Sequence, residues 1–214
     1  MHSAPQDEET PAVRGRPRLT ARRREQTRVE IAVEASRLFI ERGPANTSVD
    51  DIAAAAGISR RTFWHYFSTK EEAVAPVLLR SLNRTADAFE RRPVGETLLE
   101  ALGGALAELS GTDLDVAEVV GIVGLTREEP ALRRVWLQAT SDLEGRIAIA
   151  IANRTGSGSL RLEVRVQAAM IVAAVRITAE EYAWHGEEYR EQLSIVQETL
   201  RLVAEGFLPD AGSR

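Results

Sequence analysis

Residues 47–74, TSVDDIAAAAGISRRTFWHYFSTKEEAV, constrain the fold more tightly than any other stretch of the chain. Ser48 can cap a short helix with Asp51 three residues on, and Thr47 with Asp50 offers the same pattern one residue earlier. Val49, Ile52, Ala53 and Ala56 then recur at helical spacing as an apolar stripe. Ala53 and Ala56 are small, so a second helix can cross close by. Gly57 stands where the chain must leave the first helix, and glycine reaches positive φ there without steric cost. Ile58 can plug the angle and Ser59 can cap the next helix. On that helix Phe63 and Phe67 lie four apart and face inward, which leaves Arg60, Arg61, Thr62, Trp64, His65 and Tyr66 mostly outward. Ser68 and Glu71 form a further capping box that starts a third helix at once. The pattern is a helix-turn-helix.

Its outward face points to DNA. A solvated helix usually carries both signs of charge, yet residues 59–70 hold Arg60, Arg61 and Lys70 and no acid. Trp64 and Tyr66 would be a liability on a merely solvated surface, but arginines and aromatics suit phosphates and base edges.

Residues 23–74 resemble the TetR family of bacterial transcriptional regulators. The likeness rests on Arg28, Ile31, Ala35, Leu38, Phe39 and Gly43, then on Val49, Asp51-Ile52-Ala53, Ala56-Gly57-Ile58-Ser59, Thr62-Phe63, Tyr66-Phe67 and Lys70-Glu71. Glu34 departs from the alanine common there, and Trp64 from a common tyrosine. The resemblance implies an all-helical fold of nine or ten helices and binding to a palindromic operator as a dimer. It also implies repression that a small-molecule effector relieves from the larger C-terminal domain. Carried over residue by residue, it places Ser48, Tyr66, Thr47, Arg28 and Lys70 at phosphates, and Arg60, Arg61, Thr62, Trp64 and His65 at bases. Arg61→Ala should then relax base preference, and Lys70→Ala should weaken all sequences alike.

The net charge of −5 argues against a nucleic-acid partner until its distribution is considered. Residues 14–28 contain seven arginines and one acid, Glu25, so the local field attracts phosphate although the C-terminal two-thirds is acidic on balance. The chain has no cysteine, which excludes disulfides and thiolate metal sites and fits a reducing cytoplasm. Its N-terminus has no signal-peptide pattern, and its longest apolar runs, such as 168–175, are too short to span a bilayer. A soluble cytoplasmic protein without cofactor, metal or membrane partner is expected.

Three regions follow. Residues 1–20, with Pro5, Pro11, Pro17 and Gly15, read as a disordered basic arm, either a solvated tail or a segment that enters a minor groove. Residues 21–68 form the helix-turn-helix domain, whose first long helix runs 22–42 and ends at Gly43-Pro44. Residues 69–214 form a helical ligand-binding and dimerisation domain. Its expected helices run 68–91, 94–109, 113–125, 130–155, 160–185 and 187–208, with about nine in the chain and no strand signal. Residues 168–175 are apolar all round, and Leu193, Val196, Leu200, Val203 and Phe207 make a stripe on the last helix. A homodimer through the last two helices is expected, since a two-fold pair sets two recognition helices in successive major grooves about 34–36 Å apart.

For the effector, Trp136, Arg176, Thr178 and Tyr182 are the candidate pocket residues. Arg176 can meet a ligand carboxylate or phosphate, and it can equally pair with Glu180 four residues on. The helix from Pro130 resembles the subgroup that includes mycofactocin-type regulators, some of which respond to acyl-CoA esters. An enzyme is the rival class. With no cysteine, with His2 in the tail, His65 on the recognition helix and His185 at a helix end, and with no phosphate-binding glycine loop, no catalytic residues are assigned. A constitutive regulator without effector, or an activator, would carry the same sequence features.

Overall fold

The computed structural model describes residues 16–109, 114–158, 161–185, 198–199 and 201–202, and among them every regular element is helical. Helix α1 (Arg16–Arg42) is followed by a 3-10 turn (Pro44–Asn46), then by α2 (Val49–Ala55) and α3 (Arg60–Tyr66). A second 3-10 turn (Glu71–Val74) leads into α4 (Ala75–Arg91), and α5 (Leu98–Leu109), α6 (Leu114–Leu125), α7 (Pro130–Thr155) and α8 (Leu162–His185) complete the sequence. Residues 198–199 and 201–202 are helical, while the rest of the expected last helix, with its apolar stripe, lies outside the described residues. No helix among the described residues is long and apolar enough to cross a membrane.

The turn between α2 and α3 forms as its residues require. Gly57 has φ of 65°, its amide donates to the Ala54 carbonyl at 3.2 Å, and the Ile58 amide donates to that of Ala53 at 2.9 Å. A residue with Cβ would be strained in that left-handed conformation. Phe63 is fully buried and Phe67 nearly so, and they join Ile31, Leu38, Phe39 and Ile52 in one cluster. That cluster continues without a break through Leu78 and Phe89 of α4 to Trp136, Ile147 and Ile151 of α7 and Val172 and Val175 of α8. Burying each such side chain is worth about 1.5–3 kcal/mol, so the head is held to the larger domain by apolar packing.

Four expectations need correction. Helix α1 starts at Arg16, inside the segment read as a disordered arm, because a proline at position 17 falls in the first turn, where no amide is needed. Residues 1–15 lie outside the described residues. The helix expected over 68–91 is split, since Pro76 has no N–H to give to the Glu72 carbonyl; Ala75 makes that bond in 3-10 geometry instead. The capping box there is shifted by one residue. Thr69 Oγ1 accepts from the Glu72 amide at 3.1 Å, and the Glu72 carboxylate accepts from the Ser68 amide at 2.9 Å. Finally, α5 begins at Leu98 and not at Val94, because Thr97 and Glu100 form a capping box of their own: the Thr97 amide donates to Glu100 at 2.8 Å and the Glu100 amide to Thr97 Oγ1 at 3.2 Å.

Two arginines of α7 lock it to its neighbours. Arg146 donates to Asn83 Oδ1 at 2.8 Å and Asp87 Oδ1 at 2.7 Å on α4. Arg154 donates to the carbonyls of Arg92, Pro93 and Glu96, at 2.8, 2.7 and 3.0 Å. Between the head and the larger domain, Ile40 of α1 lies against Gly121 of α6, where an added Cβ would approach Ile40 Cδ1 to 2.7 Å.

Candidate nucleic-acid interface

Helix α3 is seven residues long and buries one side chain, that of Phe63. The remaining positions are presented by a cap. Ser59 Oγ accepts from the Thr62 amide at 3.1 Å and is hydrogen-bonded to Thr62 Oγ1 at 2.8 Å. Arg60, Arg61, Trp64 and His65 are exposed, with Trp64 at 44% although its ring stands edge-on to Phe63 at 5.2 Å. Thr62 and Tyr66 are half-buried. Four of the five residues expected at bases are therefore open to solvent on a short helix with no acid in its first turn.

The residues expected at phosphates divide differently. Ser48 caps α2 in a full capping box: its Oγ accepts from the Asp51 amide at 3.1 Å, and its own amide donates to Asp51 Oδ2 at 2.8 Å. The Ser48 hydroxyl also donates to Asp51 Oδ2, at 2.5 Å. Thr47 is 1% exposed, and its hydroxyl lies 2.9 Å from the Gly43 carbonyl, so its side chain is a brace and is not open to DNA. Lys70 turns the same way. Its ammonium donates to the carbonyls of Pro44 at 2.6 Å and Thr47 at 2.9 Å, which leaves one of three protons for any other acceptor. Arg28 lies over the Phe67 ring at 5.6 Å and lines a cleft of about 510 Å³ between α1, α3 and α7, so it faces the larger domain. Residue type marked these three as cations or donors, and only packing shows which way they point.

Two residues that the sequence did not assign to this face belong to it. Arg24 is exposed on α1 with its guanidinium 5.8 Å from the Tyr66 ring, which ties the basic stretch of α1 to the recognition helix. Its place in a run of seven arginines was the available signal. Asp50 of α2 accepts from Arg60 Nη1 at 2.9 Å.

The Ser48–Asp51 box carries a pH dependence. The Ser48 hydroxyl, and then its amide, hold the Asp51 carboxyl below its ordinary value of 3.8. A depressed folded value means that the stabilisation is complete above the ordinary range and is lost as pH falls through the lowered value. Protection of the Ser48 amide from exchange, measured against the intrinsic rate at each pH, should therefore fall in acid below the usual aspartate range, and Asp51→Asn, which does not titrate, should abolish the step.

Residues 31–75 match the family described as "Bacterial regulatory proteins, tetR family", and residues 96–208 match the MftR C-terminal domain. The HTH-type transcriptional regulator TcmR of Streptomyces glaucescens is 31% identical over 211 residues, covering 93% of this chain and 92% of its own. The chain belongs to the TetR family. It is a transcriptional regulator with a DNA-binding helix-turn-helix, in a family whose members are not enzymes. Thermus thermophilus FadR, a TetR-family repressor solved with lauroyl-CoA, aligns with a TM-score of 0.59 at 25% identity, over 87% of this chain and 98% of that one. Bacillus subtilis FadR with stearoyl-CoA shares the fold at a TM-score of 0.56 and 18% identity, over 84% and 99%.

In this TetR-family chain the expected effector residues are mostly committed to packing. Trp136 is 1% exposed and its Nε1 donates to Glu180 Oε1 at 2.9 Å. Arg176 donates to Glu180 Oε2 at 2.9 Å, the pairing its spacing allowed. Thr178 is 6% exposed and donates to Thr199 Oγ1 at 3.0 Å, while Tyr182 is half-buried. None of the four lines the cleft beneath α3 or the groove of about 410 Å³ between α1 and α4.

Proposed function

We propose that this protein is a repressor that binds a palindromic operator as a homodimer and is released by a small-molecule effector, acting in the cytoplasm on chromosomal DNA. The observation that carries the reading is the exposed, acid-free face of α3, with Arg60, Arg61, Trp64 and His65 on a helix that a neighbouring basic helix flanks. Dimerisation is supported by α8. Its residues Leu162, Val166, Met170, Ala173 and Ile177 recur at helical spacing, and the four largest are 71%, 49%, 45% and 44% exposed in a single chain. The opposite face, with Ala168, Ile171, Val172 and Val175, is buried. A second copy of α8 is the occupant that two-fold symmetry supplies.

Arg61 is the base reader on this reading. Arginine to guanine O6 and N7 discriminates by about 1–3 kcal/mol, so Arg61→Ala lowers the preference for operator over scrambled DNA by about 5- to 150-fold. Replacing Arg22 and Arg23 with glutamine weakens both DNAs alike and makes the salt dependence shallower by about 0.9 for each phosphate no longer neutralised. Titrations of both duplexes across a salt series separate the two effects. Identical behaviour of the two variants would refute the division of roles.

For release, the effector must favour a head separation that no longer fits the groove repeat, with a coupling of about 1–3 kcal/mol. The Arg146 clamp between α7 and α4 and the Ile40–Gly121 contact between α1 and α6 support those helices as the link. Acyl-CoA esters are the first effectors to try, on the strength of the FadR relative that holds lauroyl-CoA. The deciding experiment is selection of bound sequences from a random DNA pool at near-physiological salt. A palindrome supports the dimeric regulator and supplies the assay for effectors. Failure to recover any motif would leave a non-specific phosphate binder, and indifference of the operator complex to every candidate effector would favour a constitutive regulator.

A further inference from the structure

The two arginines that open α3 are not equivalent. Arg61 has no carboxylate partner among the described residues, whereas Arg60 Nη1 donates to Asp50 Oδ2 at 2.9 Å across the turn. Both side chains of that pair are mostly exposed, at 61% and 64%, and an exposed pair of this kind adds little to folding stability. Asp50 is also not needed as a cap, because Ser48 and Asp51 complete the capping box of α2 without it. An acid set beside the start of a DNA-reading helix has a cost in attraction to phosphate. The place of Asp50 in the first turn of α2 contributes only weakly through the helix dipole, a role that any acid in that turn, Asp51 included, can fill.

We propose that Asp50 is a positioning residue that sets the direction of the Arg60 guanidinium and thereby raises sequence discrimination. The inference rests on the reading of Arg60 as base-facing. Recognition helices meet base edges with their N-terminal residues, and Arg60 is the first residue of α3. The guanidinium has five N–H donors. With one Nη1 proton given to Asp50, Nε and Nη2 remain for the paired acceptors O6 and N7 of guanine. Fixing the long side chain before DNA arrives removes part of the ordering cost of that contact. The carboxylate also repels backbone phosphate at every site, matched or not, so its penalty is uniform while its benefit appears only where a guanine stands opposite. The uniform penalty lowers both affinities alike and cancels in their ratio, so the gap between operator and random DNA is widened by the ordering of Arg60.

The test is a double-mutant cycle on the full-length protein: wild type, Asp50→Ala, Arg60→Ala and the double variant, with Asp50→Asn to keep an acceptor oxygen without the charge. Affinities are measured for the operator recovered by selection and for a scrambled duplex across a salt series, with a thermal melt of each variant. For Asp50→Ala we expect an operator-to-scrambled ratio about tenfold lower. The scrambled duplex should bind more tightly, with a salt dependence steeper by about 0.9 as the freed Arg60 takes a phosphate. Asp50→Asn should keep part of the ratio. In the Arg60→Ala background the removal of Asp50 should leave the ratio unchanged, because the two act as a unit. A purely structural Asp50 would shift the melting temperature and leave the ratio alone. The proposal is overturned by a ratio within twofold of wild type in Asp50→Ala, or by an equal fall with and without Arg60. A wild type that does not discriminate at all sinks the base-reading role of α3 together with this inference, whereas a discriminating wild type matched by Asp50→Ala sinks the inference alone.

Discussion

Met170→Glu should turn the protein into a monomer and lower operator affinity by about 10²- to 10⁴-fold, the advantage that two linked recognition helices hold over one. Met170 stands mid-way along the apolar stripe of α8, between Val166 and Ala173, and is 45% exposed in the single chain. In a two-fold pair the same patch meets its own copy, so one substitution places two carboxylates in one apolar seam, where an unpaired charge is costly. In the free chain that glutamate stays in water, so folding is spared. Light scattering on the eluted protein gives the mass, and a gel shift with the selected operator gives the affinity. Ile149→Glu is the control, since Ile149 is 53% exposed on α7 and outside the stripe. A Met170→Glu protein that remains dimeric and binds with undiminished affinity would place the interface elsewhere.

What the sequence makes legible is whatever local chemistry decides. Gly57 must take positive φ, Ser48 and Ser59 must cap, and Phe63 and Phe67 must turn inward, whatever the rest of the chain does. The Pro130 start and the Gly156 stop likewise fix α7 at both ends, with Gly156 at φ 65°. Competing local signals are harder. Ser68 and Thr69 both offer a cap to the next helix, and the choice falls to Thr69 because Glu72, not Glu71, reaches back to the Ser68 amide. Direction is harder still. Thr47, Lys70 and Arg28 each look like phosphate ligands by type, yet they serve the Gly43 carbonyl, the Pro44 and Thr47 carbonyls, and the Phe67 ring. For Lys70 and Arg28 those partners lie far off in the chain, and sequence spacing carries no record of them. The pairing of Asp50 with Arg60 is of the same kind, ten residues apart and set by the angle of the turn.

Glu180→Ala should destabilise the fold by about 3 kcal/mol, the lower edge of what breaking a buried ion pair costs. The Glu180 side chain is 6% exposed, accepts from Trp136 Nε1 at 2.9 Å and Arg176 Nη1 at 2.9 Å, and forms an ion pair with Arg133 Nη1 at 3.6 Å. Truncation leaves the indole N–H without an acceptor and Arg176 without its counter-charge, at the seam between α7 and α8. The value falls at the lower edge because Arg176 and Arg133 keep 25% and 38% of their side chains in water and can be solvated there. Arg176→Leu combined with Glu180→Leu removes both charges and fills the space but still leaves Trp136 Nε1 unpaired, so it should cost less than Glu180→Ala alone without being neutral. Urea unfolding of the three proteins tests this. A double variant as unstable as Glu180→Ala would mean that the cluster contributes more than charge neutralisation. Because α8 carries the proposed dimer stripe on its other face, the same comparison run by light scattering separates the two roles of the helix. Glu180→Ala should lower stability with the dimer intact in the folded fraction, whereas Met170→Glu should do the reverse.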